Sequence, residues 1–381
     1  MIWLGAALAL LVLAGWVTWL VRRLAVAPAW AEVLGPRRSA VVRRATVAVA
    51  ALGVVAFVAA EVVQRTTDPA PWRPMLWLGL TAVAFTWYLT LGLLVVALVC
   101  GALRLARRPS ARLRAARWGA VLAVLAAATT TAYGHIEAAH VRTTEHEVVV
   151  DDLGAGLDGL RVAFVSDLHV GPVRDGDFVR EVVDQVAGTD ADLVVLGGDY
   201  ADGLHRHVGP YLDPLGDLDA PHGVVGVTGN HEFLNGDADE LVARLEELGT
   251  TVLGNESVVV EAGGARLVVA GVHDAVGTGA DAPDPDAALA GTTPDDAILY
   301  VAHEPSQVVT DRGVDVQLSG HTHGGQLWPF GWFVPLDQPT VAGVDDVGGV
   351  TLVTGRGAGA WGPPVRVGAP PEVVVVTLRA G

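Results

Sequence analysis

The chain begins with apolar runs too long for the interior of a soluble domain and continues with short ones. Up to residue 142, four hydrophobic segments alternate with polar joints, at about Ile2 to Val21, Ala45 to Val63, Met75 to Leu103 and Trp118 to Tyr133. A helix needs about 20 apolar residues to cross the hydrocarbon core. The first three segments meet that length, with Glu61 near the end of the second as their single charge. The fourth is near the short limit and carries Thr129, Thr130 and Thr131, whose hydroxyls can bond back to helix carbonyls. The first segment reads as an uncleaved anchor, since no basic stretch precedes it and Arg22-Arg23 follow it. "AVAPAWA" behind it leaves signal-peptide cleavage as the alternative.

After Ala139 the pattern changes to short Val-rich runs bounded by Gly, Asp and Pro. "LRVAFVSD" (160–167), "DLVVLGGD" (192–199), "GVVGVTGN" (223–230), "ARLVVAGV" (265–272), "AILYVAH" (297–303) and "VDVQLSGH" (314–321) read as buried strands. Between them Phe178, Val179, Val182, Val183 and Val186 share one helical face, as do Leu241, Val242, Leu245 and Leu248. Strand and helix alternation predicts the α/β class, with a sheet covered by helices. The chain therefore divides into a membrane part, 1–142, and a polar part, 143–381. Residues 275–296, acidic and rich in Pro, Gly and Ala, read as a loop with at most a short helix.

Charge sharpens that division. Residues 1–142 hold 15 Arg against 4 acids, and residues 143–381 hold 10 Arg against 38 acids, which together make the net −17. Six Arg lie in the joint Arg22 to Arg44 and six in Arg104 to Arg117, against only Arg65 and Arg73 near the joint 64–74. By the bias of Arg toward the cytoplasm, the two Arg-rich joints are inside. Four spans then place the acidic part outside; if the fourth segment does not cross, the acidic part is cytoplasmic. The single cysteine, Cys100, lies in an apolar run, so a metal site in the polar part must use oxygen and nitrogen.

The predicted strands end in such groups. Asp167 and His169 close the first, Asp199 the second, Asn230 and His231 the third, His303 the fifth, and His321 and His323 the sixth. In an open α/β sheet, ligands collect at the carboxyl ends of strands. Asp and His suit Mn²⁺, Fe²⁺ or Zn²⁺. The two oxygens of one carboxylate can bridge two ions, a spacing suited to an in-line displacement. In extended backbone, residues two apart point the same way, so Asp167 and His169 would share a face and His321 and His323 would meet at one place. Gly320, Gly324 and Gly325 would permit the tight turn there.

In this order, Asp-x-His, Gly-Asp, Gly-Asn-His-Glu, an isolated His and Gly-His-x-His resemble the signature of the calcineurin-like metallophosphoesterases. "LDGLRVAFVSDLHVG", "APHGVVGVTGNHEF", "ILYVAHEPSQV", "SGHTHGGQLWPF" and "PPVRVGAPPEVVVVTL" look like its bacterial membrane-attached phosphodiesterase branch. The resemblance covers about residues 147–379 and implies an αββα sandwich, here behind an all-α transmembrane region of about four helices. It implies two divalent ions, one held by Asp167, His169, Asp199 and His323, the other by Asp199, Asn230, His303 and His321, with a hydroxide between them. His231 would be the catalytic residue, facing the substrate as a general acid on the leaving oxygen or as a donor to the phosphorane-like charge. "GDYADG" lacks the Arg that follows in the protein phosphatases, which argues against a phosphoprotein substrate.

The expected activity is hydrolysis of a lipid-linked or envelope phosphodiester. A soluble nucleotide or sugar phosphate, or a sensor domain without catalysis, is the alternative. Nucleic acid is disfavoured, because a long polyanion needs an extended basic surface. Glu232 and Glu304 are expected to brace the ligands rather than bind metal. His205 and His207 lack partner motifs, and His273-Asp274 at a strand end reads either as pocket lining or as a cap. "LWPFGWF" (327–333) reads equally as a membrane-facing patch or a core plug.

Overall fold

The computed structural model describes residues 13–381. The first apolar segment, Ile2 to Val21, lies largely outside the described residues; its described part, 13–21, is helical. Among the described residues three helices are long and apolar enough to cross a membrane, Ala31–Thr66, Ala70–Leu105 and Pro109–Ala138, with mean hydropathy 2.3, 2.3 and 1.3. The Thr-containing segment thus belongs to a 30-residue helix. Of the described residues, those up to Ala60 and Leu78–Tyr133 form one compact unit. Glu61–Trp77 and Gly134–Gly381 form the other.

The second unit holds two six-stranded sheets. The first comprises β1 (Arg142–Val150), β2 (Arg161–Val165), β3 (Leu193–Leu196), β4 (Val224–Gly226), β5 (Thr251–Val252) and β12 (Glu372–Ala380), in the order β1-β12-β2-β3-β4-β5. The second comprises β6 (Glu256–Ala262), β7 (Ala265–Gly271), β8 (Ala297–Val301), β9 (Val316–Ser319), β10 (Gly343–Val347) and β11 (Val350–Thr354), in the order β10-β11-β9-β8-β7-β6. All six predicted strands are present. A single sheet is not what they form, because they divide three and three between the two sheets.

Alternation within each strand explains the layers. Val162 and Phe164 of β2 enter the core between the sheets, where they meet Leu267 and Val269 of β7 and Leu299 and Val301 of β8. Ala163 and Val165 face the other way, against Val179, Val182, Val183 and Val186 of the helix Gly176–Ala187 and Leu241 and Leu245 of the helix Ala238–Glu247. Val268, Ala270, Ile298 and Tyr300 form the outer core of the second sheet. A strand buried on both faces has no polar face, which is why these runs are continuously apolar. The result is the αββα sandwich.

Register then places the chemistry. β2, β3 and β4 pair in parallel, as do β7, β8 and β9. Their carboxyl ends therefore lie along one edge of each sheet. His303, past β8, crosses between the sheets to put its Nδ1 2.7 Å from the Gly197 carbonyl past β3.

Candidate metal centre

Each candidate ligand lies just past a strand rather than in the strand itself, Asn230 as the first residue of the helix Asn230–Asn235. Asp167, His169, Asp199, His321 and His323 have φ of +56°, +47°, +56°, +67° and +51°. The expectation that Asp167 and His169 share one face of extended backbone is therefore wrong. Left-handed backbone costs a non-glycine residue about 1–3 kcal/mol and persists only where the surroundings over-determine it. Here they do: Asp167 N–H donates to Gly198 O (2.9 Å), His169 N–H to Asp199 O (3.1 Å) and His321 N–H to Asp167 Oδ1 (3.1 Å).

The same correction applies to His321 and His323, whose rings go to different groups. His323 Nε2 is 3.0 Å from His169 Nε2 and 3.4 Å from Asp167 Oδ1. His321 Nδ1 is 3.0 Å from Asn230 Oδ1, and its ring meets that of His303 edge-on with centroids 5.2 Å apart. Asp199 stands between the groups. Its Oδ2 alone faces both, 3.5 Å from His169 Nε2 and 3.2 Å from His303 Nε2, while its Oδ1 accepts the His231 N–H at 2.9 Å. One oxygen, Oδ2, thus faces both groups.

These atoms fit metal ions. Asp167, His169 and His323 offer ligand atoms within 4.8 Å of one another, as do Asp199, His303 and His321. They are lone-pair donors facing one another, and buried His303 Nε2 has only the Asp199 carboxylate, 3.2 Å away, without a well-aligned hydrogen bond. A buried orphan acceptor or donor is costly unless something absent from the protein satisfies it. Glycines make the space: a Cβ on Gly320 would lie 2.4 Å from Ser166 Oγ and 2.5 Å from Asp167 Oδ2, and one on Gly229 would lie 2.4 Å from Asp199 Oδ1.

His231 adjoins both groups, its ring centroid 4.6 Å from that of His169 and a ring nitrogen within 4.8 Å of ligand atoms of His169 and Asp199, and it is backed by a residue that the sequence reading passed over. Asp202 is buried, and its Oδ1 is 2.7 Å from His231 Nδ1 and 3.0 Å from His169 Nδ1. Burial opposes charge on His231, but the Asp202 and Asp199 carboxylates outweigh it and push its pKa up to about 10. Burial would likewise raise Asp202, yet His169 and His231 hold it well below the usual carboxylate range. The available signal was the second Asp of "GDYADG", three residues after Asp199.

The remaining neighbours are braces. Glu232 accepts backbone N–H groups from Asp199 (3.0 Å), Tyr200 (3.0 Å) and Gly229 (2.7 Å), tying the β3 and β4 turns together. Glu304 accepts from Ser306 Oγ and Gln338 Nε2, both at 3.0 Å. Asp274 is fully buried and caps its own turn by accepting Val276 N–H at 3.0 Å. Arg366, quoted in the sequence without a role, is fully buried. It donates to Gly359 O at 2.8 Å and Ala369 O at 3.1 Å, with Nη2 3.1 Å from His323 Nδ1. His205 and His207 lie in a short helix, His205–Val208, outside these ligand groups. Trp328, Phe330, Trp332 and Phe333 are all exposed, so "LWPFGWF" is not a core plug.

A family model described as calcineurin-like phosphoesterase matches residues 160–325. The chain is 36% identical over 225 residues to an uncharacterized metallophosphoesterase of Helicobacter pylori, covering 58% of this chain and 60% of that protein. It is 30% identical over 272 residues to a transmembrane protein with metallophosphoesterase domain of Danio rerio, covering 68% and 62%. It is 30% identical over 254 residues to an uncharacterized metallophosphoesterase of Aquifex aeolicus, covering 65% of this chain and 95% of that protein. The chain thus spans about 60% of the Helicobacter and Danio relatives. With nearly the whole Aquifex protein matched and the strand-end His and Asp groups converging on one edge, the chain belongs to the calcineurin-like metallophosphoesterases.

Proposed function

We propose that this protein is a membrane-anchored two-metal phosphodiesterase whose catalytic part faces away from the cytoplasm. One observation carries the chemistry: Asp199 Oδ2 lies within 3.5 Å of imidazole nitrogens from both ligand groups. Asp167, His169, Asp199 and His323 would hold one ion, and Asp199, Asn230, His303 and His321 the other. Two divalent ions would supply Lewis-acid activation of water and of the phosphoryl oxygens at neutral pH. In the reaction, water gives its oxygen to phosphorus and one proton to the solvent, and the phosphorus bond to the leaving oxygen breaks. His231 donates the proton that the leaving oxygen takes and afterwards regains a proton from solvent. Asp202 holds the His231 ring in place through Nδ1 and favours its protonated form.

The orientation is supported by the joints. Arg117 Nε donates to Pro28 O at 2.8 Å and its Nη2 to Ala29 O at 3.3 Å, so the two Arg-rich joints meet. The Arg-poor joint belongs instead to the unit that carries the two sheets. There Arg73 pairs with Asp175 at 2.7 Å and lies 5.3 Å from the centre of the Tyr211 ring. Arg-rich ends stay in the cytoplasm, which leaves the sheets and metal centre outside. Such a location favours an envelope or lipid-linked phosphodiester.

The test uses the full chain in detergent, stripped with chelator and reloaded with Mn²⁺, Fe²⁺ or Zn²⁺, on bis(nitrophenyl) phosphate and nitrophenyl phosphate. Metal-dependent cleavage of the diester in preference to the monoester is expected. Tight metal binding without turnover of either compound would overturn the assignment.

A further inference from the structure

Ten consecutive residues, 327–336, carry no charge, in a segment of the chain where acids outnumber Arg 38 to 10. Five of their large apolar side chains face outward: Trp332 is 72% exposed and Leu336 84%, with Trp328, Phe330 and Phe333 about half exposed. Trp361, 58% exposed, extends the patch to the metal centre, its ring centroid 6.4 Å from that of His231. An exposed apolar patch of this size marks an interaction or membrane-contact surface.

The patch is built against the end of the last apolar helix. Gln326 joins its two parts, accepting Trp361 N–H at 3.0 Å and donating to Trp361 O at 2.9 Å, while Trp328 N–H donates to Val367 O at 3.0 Å. The same strip donates Arg366 N–H to Gly134 O at 2.9 Å. Contact there is close enough that a Cβ on Gly134 would lie 2.4 Å from Val365 Cγ1. Gly134 is in the final turns of Pro109–Ala138. The next residue, His135, stacks on Trp77 with centroids 4.5 Å apart, and Trp72, Trp77 and Ile136 are exposed as well. Helix ends of this composition lie at headgroup depth, where Trp is favoured. The patch therefore adjoins residues 134–136, through which the chain passes from the last apolar helix to the sheets.

We infer that residues 327–336 and Trp361 insert into the headgroup layer of the leaflet from which the chain emerges, and that the metal centre takes its substrate from that leaflet. The substrate class is an amphiphile whose phosphodiester stands at headgroup depth while its hydrocarbon remains in the bilayer. Membrane contact stands on the patch alone; the choice of substrate rests on the phosphodiesterase reading above.

Contact is read by spin labels on the full chain with Cys100→Ala, placed at Trp332→Cys or Leu336→Cys and, as control, at exposed Asp346→Cys, in vesicles of phosphatidylcholine and phosphatidylglycerol. Labels at 332 and 336 should be shielded from an aqueous nickel chelate and accessible to oxygen, and the label at 346 the reverse. Equal chelate access at all three positions would overturn the membrane contact, whether or not the protein is active. The substrate claim is read with hexadecyl nitrophenyl phosphate in the bilayer beside bis(nitrophenyl) phosphate in solution. For Trp332→Ser/Phe333→Ser/Leu336→Ser, turnover of the anchored diester should fall at least about tenfold and that of the soluble one stay within about twofold. An equal effect on both compounds, large or small, would refute delivery from the leaflet.

Discussion

Asp202→Asn separates proton donation from metal binding. The carboxamide oxygen can still accept from one ring, so the change removes charge more than shape. In the parent, Asp202 Oδ1 is 2.7 Å from His231 Nδ1 and 3.0 Å from His169 Nδ1, and the residue is buried. A hydrogen bond to a charged group contributes about 1.5–3 kcal/mol. At about 1.36 kcal/mol per tenfold, losing it from the protonated His231 predicts a rate loss of roughly 10- to 150-fold. The same energy corresponds to a fall of about one to two units in the His231 pKa. The protonated, donating form would then be lost at lower pH, and the alkaline limb of the rate profile should move down by that amount. The assay compares two diesters on the metal-loaded full chain, one leaving as nitrophenolate and one as an alkoxide. Nitrophenolate needs little protonation, so its loss should be small and the alkoxide loss large. Equal losses on both, accompanied by loss of bound metal, would refute the reasoning and reduce Asp202 to a support for His169.

Further variants examine the metal centre itself. Asp199→Asn removes the oxygen that faces both ligand groups. Bound metal by elemental analysis should fall to one ion or fewer, with circular dichroism unchanged; two retained ions would contradict a bridging role. Gly320→Ala forces a Cβ to 2.5 Å from Asp167 Oδ2. Metal affinity should drop roughly 10- to 100-fold, as it does when groups that orient ligands are lost. Chelation should lower thermal stability. Metal at about 100 times its Kd adds about 2.7 kcal/mol, and a unit of this size shifts roughly 2–4 °C per kcal/mol, so a fall of about 5–10 °C is expected by calorimetry. An unchanged transition would mean that the buried carboxylates and imidazoles satisfy one another without metal.

The sequence by itself determined the elements whose physics is local. Continuous apolar runs marked β2, β3, β4, β7, β8 and β9 because both faces of each are buried, and the 3.6-residue repeat marked the two amphipathic helices. Short polar motifs supplied the donor atoms, since Asp, His and Asn at strand ends name their own chemistry. Pattern shows which faces are buried, not against what. The division into two sheets follows from which strands pair, and the position of β12 between β1 and β2 from pairing across more than two hundred residues, as in Arg142 with Glu372. The family resemblance already divided His321 and His323 between the two ions, but the backbone that sends their rings apart was tertiary. It depends on positive φ values stabilised by bonds from distant turns, and a motif specifies atoms but not their directions. Asp202 gained its place only when the β3 and β4 turns met. "LWPFGWF" has the composition of either a core strand or a membrane-facing loop, and only its packing against Val367 and Trp361, with its rings outward, decided between them.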